Sequence, residues 1–215
     1  MTRGAGINRA SLVEEAVRLI DEAGFDQLAL APLARRLGVR PPSLFEHVGG
    51  TADLVRAVRL RGLQEQVTLL RRAATGRSGD DAVRGMARAY REFAMAHPGL
   101  YTATVRTVAG ETPELRAAGD EALACIADVL RGYDIEGQEA VHATRYLRSV
   151  IHGFLLLETA SGFGLDVDVD ESYERAIDAV VENLRTWTVT HSVVNRRKMK
   201  RSSLPRRRVA DRPLA

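Results

Sequence analysis

The 215 residues predict an all-α fold: a small N-terminal three-helix unit, joined by a long helix to a larger α-helical domain. Three observations carry this. Apolar residues recur at i, i+3, i+4 and i+7 from Val13 onward, which places them on one helical face, while the two-residue alternation of strands is scarce. Prolines stand at the starts of the helical runs and glycines at their ends, the order in which helices tolerate them. The stretch "TGRSGDD", residues 75–81, interrupts the apolar pattern with Gly, Ser and charge between two long helical stretches.

The first helix is expected from Arg9 to Ala23, with Val13, Ala16, Val17 and Ile20 on its buried face, Asn8 as its cap, and Gly24 as its stop. A short helix follows from Ala31 to Leu37, with Pro32 in its first turn and Gly38 after it. The stretch "RPPSLFEHVGG", residues 40–50, reads as a third helix of two turns, started by Pro41-Pro42 and stopped by Gly49-Gly50. Thr51 is then expected to cap a long helix reaching Ala74. Beyond residue 81, helices are expected at 82–96, 99–109, 113–132, 137–162 and 171–189, separated by "AHPGL", "GETPE", "GYDIEG" and "GFGLDVDVDES".

Composition is that of an ordinary globular protein, 45% hydrophobic and 27% charged, with no apolar run of membrane-spanning length and no apolar leader near Met1. A cytoplasmic protein with no membrane association is the expectation. Lone Cys125 lies in an apolar run and is expected in the core. The net charge of +3 conceals three regions: +2 over 1–62, −7 over 63–190 and +8 over 191–215. The last, rich in like charges and poor in apolar residues, is expected to be disordered; it can add salt-dependent affinity for nucleic acid or be an inert extension.

Residues 29–48 carry a second kind of signal. Two short helices flank the turn Gly38-Val39-Arg40; Ala34 permits close packing, and Leu44 and Val48 can face inward with Leu33 and Leu37. That is the arrangement of a helix-turn-helix, which holds its second helix outward for a DNA major groove. Any pair of short helices in an α-helical protein shares the spacing.

The stretch "EAGFDQLALAPLARRLGVRPPSLFEHVGGTADLV" resembles the TetR family of bacterial transcription regulators, matching its order and spacing without a gap. The segments "AHPGLYTATV", "LRSVIHGFLLLE" and "GFGLDVDVDESYERAIDAVVENL" resemble a TetR-type C-terminal domain of the WHG kind, with His152-Gly153 as its hallmark. The resemblance implies a helix-turn-helix domain over 1–62 and a ligand-binding and dimerisation domain over 63–190, leaving 191–215 as a tail. Two departures stand out: Phe45 replaces the usual Tyr and Thr51 the usual Lys, both common phosphate contacts in the family.

On this reading the contacts to double-stranded DNA come from Arg36, Arg40, Pro42, Ser43, Phe45, Glu46, His47 and Thr51. Arg40 can reach phosphate or a guanine edge. Ser43 and His47 share one helical face, and Pro42 and Phe45 can press on thymine methyls or sugar. Glu46 can accept from cytosine or merely repel phosphate, while Arg35 and Arg36 serve as backbone-positioning charges. Thr51 can offer a hydroxyl and an N–H at a helix N-terminus. Two such units on a dyad, about 34 Å apart, would read a palindrome.

The resemblance also implies a homodimer and a pocket for a small-molecule effector of unknown identity. Expected interface residues are Val141, Tyr146, Val150, Gly153 and Leu157 on one helix and Ile177, Val180, Val181, Leu184 and Trp187 on the next. Expected pocket residues are Met86, Tyr90, Phe93, Tyr101, Val105, Leu123, Ile126, His152 and Leu156. The polar stripe His142, Arg145, Ser149 and His152 can line that pocket or the interface. A dimeric repressor released by its effector is the leading function; an activator or architectural protein of the same fold is the alternative. No cofactor, metal site or enzymatic activity is expected. There is no phosphate loop and no Cys/His pairing, and "DVDVDES" lacks the Gly and Glu of a calcium loop and reads as the start of a helix.

Overall fold

The computed structural model describes residues 7–106 and 110–187. These residues form eight α-helices and three 3-10 segments, with no strand among them. The expected tail at 191–215 lies outside the described residues, as do the last residues of the helix expected to reach 109.

Helix α1 (Arg9–Ala23) starts at a reciprocal capping box: the Asn8 carboxamide accepts from Ser11 N (2.9 Å), and the Ser11 hydroxyl accepts from Asn8 N (3.0 Å). A 3-10 turn (Phe25–Gln27) leads to α2 (Leu30–Leu37). Gly38 ends α2 at φ +68°, a left-handed conformation that a side chain at this position would strain.

The next segment, Pro41–Glu46, is a 3-10 helix, where a two-turn α-helix was expected. Two adjacent prolines supply no N–H to an α-helical ladder, and the six residues close tight i→i+3 bonds instead, such as His47 N to Leu44 O (3.0 Å). Helix α3 (Thr51–Ala74) departs from expectation at its first residue. Gly50, at φ +111°, is the cap position, and Thr51 is already helical and makes no capping bond. Asp53 in the first turn reaches back instead, accepting from Gly49 N at 3.0 Å.

The body consists of α4 (Gly79–Ala96), α5 (Pro98–Val105), α6 (Pro113–Leu130), a 3-10 turn (Arg131–Tyr133), α7 (Gly137–Thr159) and α8 (Val169–Arg185). Asp168 caps α8, accepting from Asp170 N (2.8 Å) and Glu171 N (3.3 Å), which gives the acidic "DVDVDES" stretch its structural role. Cys125 is buried. One apolar core runs continuously from Leu12 and Ile20 through Val58 and Leu70 to Val180 and Trp187. No described helix is long and apolar enough to cross a membrane.

The N-terminal unit is fastened to the body along α5. A Cβ on Gly99 would stand 2.2 Å from Ile20 O, so α5 crosses α1 at a distance only glycine allows. Next to this crossing, Asp21 accepts from Leu100 N (2.9 Å) and meets His97 Nδ1 (2.9 Å). Arg61 of α3 pairs with Glu14 of α1 (2.6 Å), and Arg106 pairs with Asp26 (2.8 Å).

Candidate functional sites

The first candidate surface is built around Pro41–Glu46. Leu44 and Val48 are buried and anchor the segment to Leu33, while Leu37 is half-buried. Arg40, Pro42, Ser43, Phe45, Glu46 and Thr51 therefore point outward and are exposed, with His47 half-buried. Phe45 is 59% exposed, so its ring takes no part in the core. None of the polar side chains in this group has a hydrogen bond or ion pair among the described residues.

Arg36 sits elsewhere. Its guanidinium is bound by Glu22, with bonds of 2.5 and 2.7 Å, and by Glu15. These carboxylates raise its pKa, and in turn Arg36 lowers theirs. The side chain expected to meet DNA is thus turned onto α1. Arg35, its neighbour, is exposed and unpaired among the described residues, and is the more available cation.

The segment is held from behind by one carboxylate. Arg9 donates to both oxygens of Asp53 (2.7 and 3.0 Å) and to His47 O (3.1 Å), while Asp53 accepts from Gly49 N. The Arg9 bonds, followed by the Gly49 bond, hold the Asp53 carboxyl down to about 2. This clamp ties the start of α1, the end of the exposed segment and the start of α3 into one piece.

The second candidate site is a cavity of about 260 Å³ within the body, lined by α3, α4, α5, α6 and α7. Of the residues expected there, Met86, Tyr90, Leu123, Ile126 and His152 line it. Phe93 and Tyr101 are buried behind the wall, Val105 packs half-buried against the core, and Leu156 is 45% exposed on the outer side of α7. Only His152 of the polar stripe reaches the cavity; His142, Arg145 and Ser149 are exposed.

The cavity's polar lining includes residues that pattern reading missed. Gln66 Nε2 donates to Tyr90 Oη (2.9 Å) and Thr104 Oγ1 (2.6 Å), and Thr104 Oγ1 donates to Tyr101 O (2.7 Å). Tyr101 Oη lies 2.9 Å from His152 Nδ1. Burial, with a smaller contribution from the Arg148 charge, pushes the His152 pKa down to about 4, so the ring is neutral at pH 7. Burial likewise raises the Tyr90 phenol. A signal for Gln66 did exist: it is a polar residue on the apolar line of Leu63, Val67 and Leu70. Thr104 and Arg148 gave none.

The expected interface residues divide by helix. On α7, Val141 (48%), Gly153 and Leu157 (53%) are exposed, and Tyr146 and Val150 are half-buried. On α8, Ile177, Val180, Val181 and Leu184 are buried within the chain's own core, as is Trp187 just beyond the helix end. They face the body because α8 packs on α4, fixed there by Tyr173 Oη donating to Ala87 O (2.8 Å); Trp187 stacks near Tyr146 and donates to Glu139 (3.0 Å). The outer side of α8 carries Arg175, Asp178, Ala179, Glu182 and Asn183 instead. Leu156, Phe163, Leu165 and Val167 extend the apolar exposure of α7 into the loop that follows.

Comparison with known proteins agrees with this two-part construction. The family model for bacterial regulatory proteins of the tetR family matches residues 12–58, and that for the tetracyclin repressor-like C-terminal domain matches residues 83–180. An uncharacterised HTH-type transcriptional regulator of Mycobacterium tuberculosis is 42% identical over 171 residues, covering 79% of this chain and 78% of its own. One from Bacillus subtilis is 32% identical over 186 residues, covering 86% of this chain and 96% of its own. Among solved structures, the Streptomyces coelicolor TetR family protein ActR in complex with (S)-DNPA shares the fold at a TM-score of 0.62 and 19% identity, over 85% of this chain and 98% of that one. With relatives this similar over most of its length, and both halves matched in order, the chain belongs to the TetR family of transcriptional regulators.

Proposed function

We propose that this chain is a cytoplasmic repressor, without enzymatic activity, that binds a palindromic operator as a homodimer and releases it when a small molecule fills the body cavity. The observation that carries the reading is the joint between the two sites. Helix α5 contributes Thr104 to the cavity lining, and through Gly99, Leu100 and His97 it is packed directly on α1. A ligand that favours one position of α5 therefore favours one position of the N-terminal unit, which is the differential binding an allosteric switch needs.

DNA would be met by Arg40, Ser43, His47 and Phe45, with Arg35 and the N-terminus of α3 at Thr51 on the phosphates. The 1–62 and 63–190 division follows this split of roles, with α3 running through both. Dimerisation would use the exposed apolar band of α7 around Gly153 and Leu157, set against the outer side of α8. ActR, with which this chain shares its fold, is bound to a small molecule in its solved structure, in keeping with an effector role for the cavity.

Selecting bound sequences from random double-stranded DNA with the purified chain tests the reading. A single inverted repeat, bound as two chains per duplex, is the expected result. Recovery of unrelated sequences would overturn it. A reporter fused to the selected site separates repression from activation.

A further inference from the structure

The polar end of the cavity presents donors that a ligand's acceptor can meet. Gln66 uses both amide protons on Tyr90 Oη and Thr104 Oγ1. Tyr90 Oη thus accepts from Gln66, and its own proton can go to the neighbouring Thr104 hydroxyl or turn to a ligand. Tyr101 Oη is buried 2.9 Å from His152 Nδ1; with the phenol as donor, the neutral imidazole carries its proton on Nε2. One turn before His152 on α7, Arg148 lines the same cavity, close enough to act electrostatically on both Tyr90 and His152. It has no ion pair or hydrogen bond among the described residues.

The remaining charges leave the cavity positive. Arg59, Arg116 and Arg148 line it against Glu111 and Asp120, a balance of +1. Glu111 is already held by Arg116 at 3.0 Å and Arg59 donates to Arg106 O, while Asp120 on α6 and Arg148 on α7 are both exposed and have no ion pair among the described residues. The other walls are apolar, with Met86, Leu123 and Ile126 among them. At interior packing density such a space holds about ten to fifteen non-hydrogen atoms.

We propose that the effector is a small monocarboxylic acid with an apolar tail, its carboxylate held by Arg148, Tyr90 and His152 and its tail lying among Met86, Leu123 and Ile126. This rests on the reading of the cavity as an effector site. A carboxylate offers these three groups a common acceptor and supplies the negative charge that Arg148 lacks. A charge-assisted bond of this kind is about twice as strong as a neutral one.

Calorimetric titration of the full chain with octanoate, octanol and octylamine tests this. Octanoate should bind at least about tenfold more tightly than octanol, which has the same tail and no charge. Arg148→Gln should bring the two within about twofold without changing the melting temperature, since Arg148 supports no internal contact. Leu123→Trp, at a half-open wall position, should abolish octanoate binding by filling the space. Octanol or octylamine binding as tightly as octanoate, and lost in Leu123→Trp, would overturn the acid assignment while leaving an effector cavity. An octanoate preference that survives Arg148→Gln would also overturn it. If none of the three binds, the effector reading falls together with the inference.

Discussion

The exposed face at Pro41–Glu46 and the body cavity handle polar groups in opposite ways. On the face, Arg40, Ser43, Glu46 and Thr51 are exposed and their side chains have no partner among the described residues. In the cavity, Gln66, Tyr90, Thr104, Tyr101 and His152 form one chain of hydrogen bonds. A buried polar group must be bonded where it stands, whereas an exposed one can wait for a partner. The face can therefore change without disturbing the fold, while the bonded groups of the cavity and the joint at α5 cannot. The arginines repeat the contrast at close range: Arg36 is held by Glu15 and Glu22, and Arg40, four residues on, is free among the described residues.

The strongest way to break this contrast is at the joint. Gly99→Ala places a methyl group against the Ile20 carbonyl, and no rotamer can relieve a clash between backbones. The expected cost is about 3 kcal/mol of unfolding free energy, measured by urea denaturation. An alanine variant as stable as the parent would mean that α5 and α1 are not fixed together, and the proposed route between the two sites would lose its basis.

The next largest effect separates the two arginines. Arg40→Ala should weaken operator binding by about 2 kcal/mol and reduce the dependence of log K on log salt by about one, with thermal stability unchanged. Arg36→Ala should do the reverse, leaving the salt slope alone while lowering the melting temperature, because it releases Glu15 and Glu22. Fluorescence anisotropy on the selected operator, run beside thermal unfolding, reads both. If the two variants behave alike, pairing in the free protein does not sort structural from DNA-contacting cations.

How far each region could be read in the sequence follows from how it is assembled. The exposed face is made by contiguous residues, so Gly38 and the inward Leu44 and Val48 were legible from spacing, while Arg40 and Phe45 entered through the family resemblance. Its 3-10 winding was not, because periodicity over six residues hardly separates three residues per turn from 3.6. Thr51 read as a cap because its residue type suits the position, but the positive φ of Gly50 moves the helix start by one residue. The cavity draws on five helices, and which face of each turns inward depends on packing. Met86, Tyr90, Leu123, Ile126 and His152 share it, while Leu156 faces out. The α8 apolar stripe was visible as a stripe, but periodicity shows that a face is buried and not by what; α4 and α7 cover it within the chain.

A smaller effect probes the clamp behind the face. Asp53 has a carboxyl held down to about 2 in the folded protein, against about 3.9 in an unfolded chain. A depressed folded pKa contributes stability above the unfolded value and loses it as pH falls through the folded one. The contribution should be complete above about pH 4 and gone near pH 2; since Arg9 is half exposed, its size is about 1 kcal/mol. Chemical denaturation of the parent and Asp53→Asn across pH 2 to 7 should show a stability gap that closes in this window. A gap independent of pH would assign the loss to packing at the start of α3 and not to the charge.

The smallest expected effect is a gain. Phe45 is exposed on the proposed DNA face and carries no polar atom, at the position where the resemblance to the TetR family leads one to expect a tyrosine. Phe45→Tyr adds a hydroxyl at the edge of that surface, and one net hydrogen bond corresponds to about 1 kcal/mol, or roughly fivefold tighter operator binding. Because the ring is not part of the core, the substitution should leave the melting temperature unchanged, and an affinity change can be attributed to the interface. Weaker binding would mean that the bare ring edge lies against a thymine methyl or a sugar, where a hydroxyl would be desolvated without a partner. Unchanged binding would place Phe45 beyond reach of the phosphate and leave Arg40, Ser43 and His47 as the whole of the proposed contact.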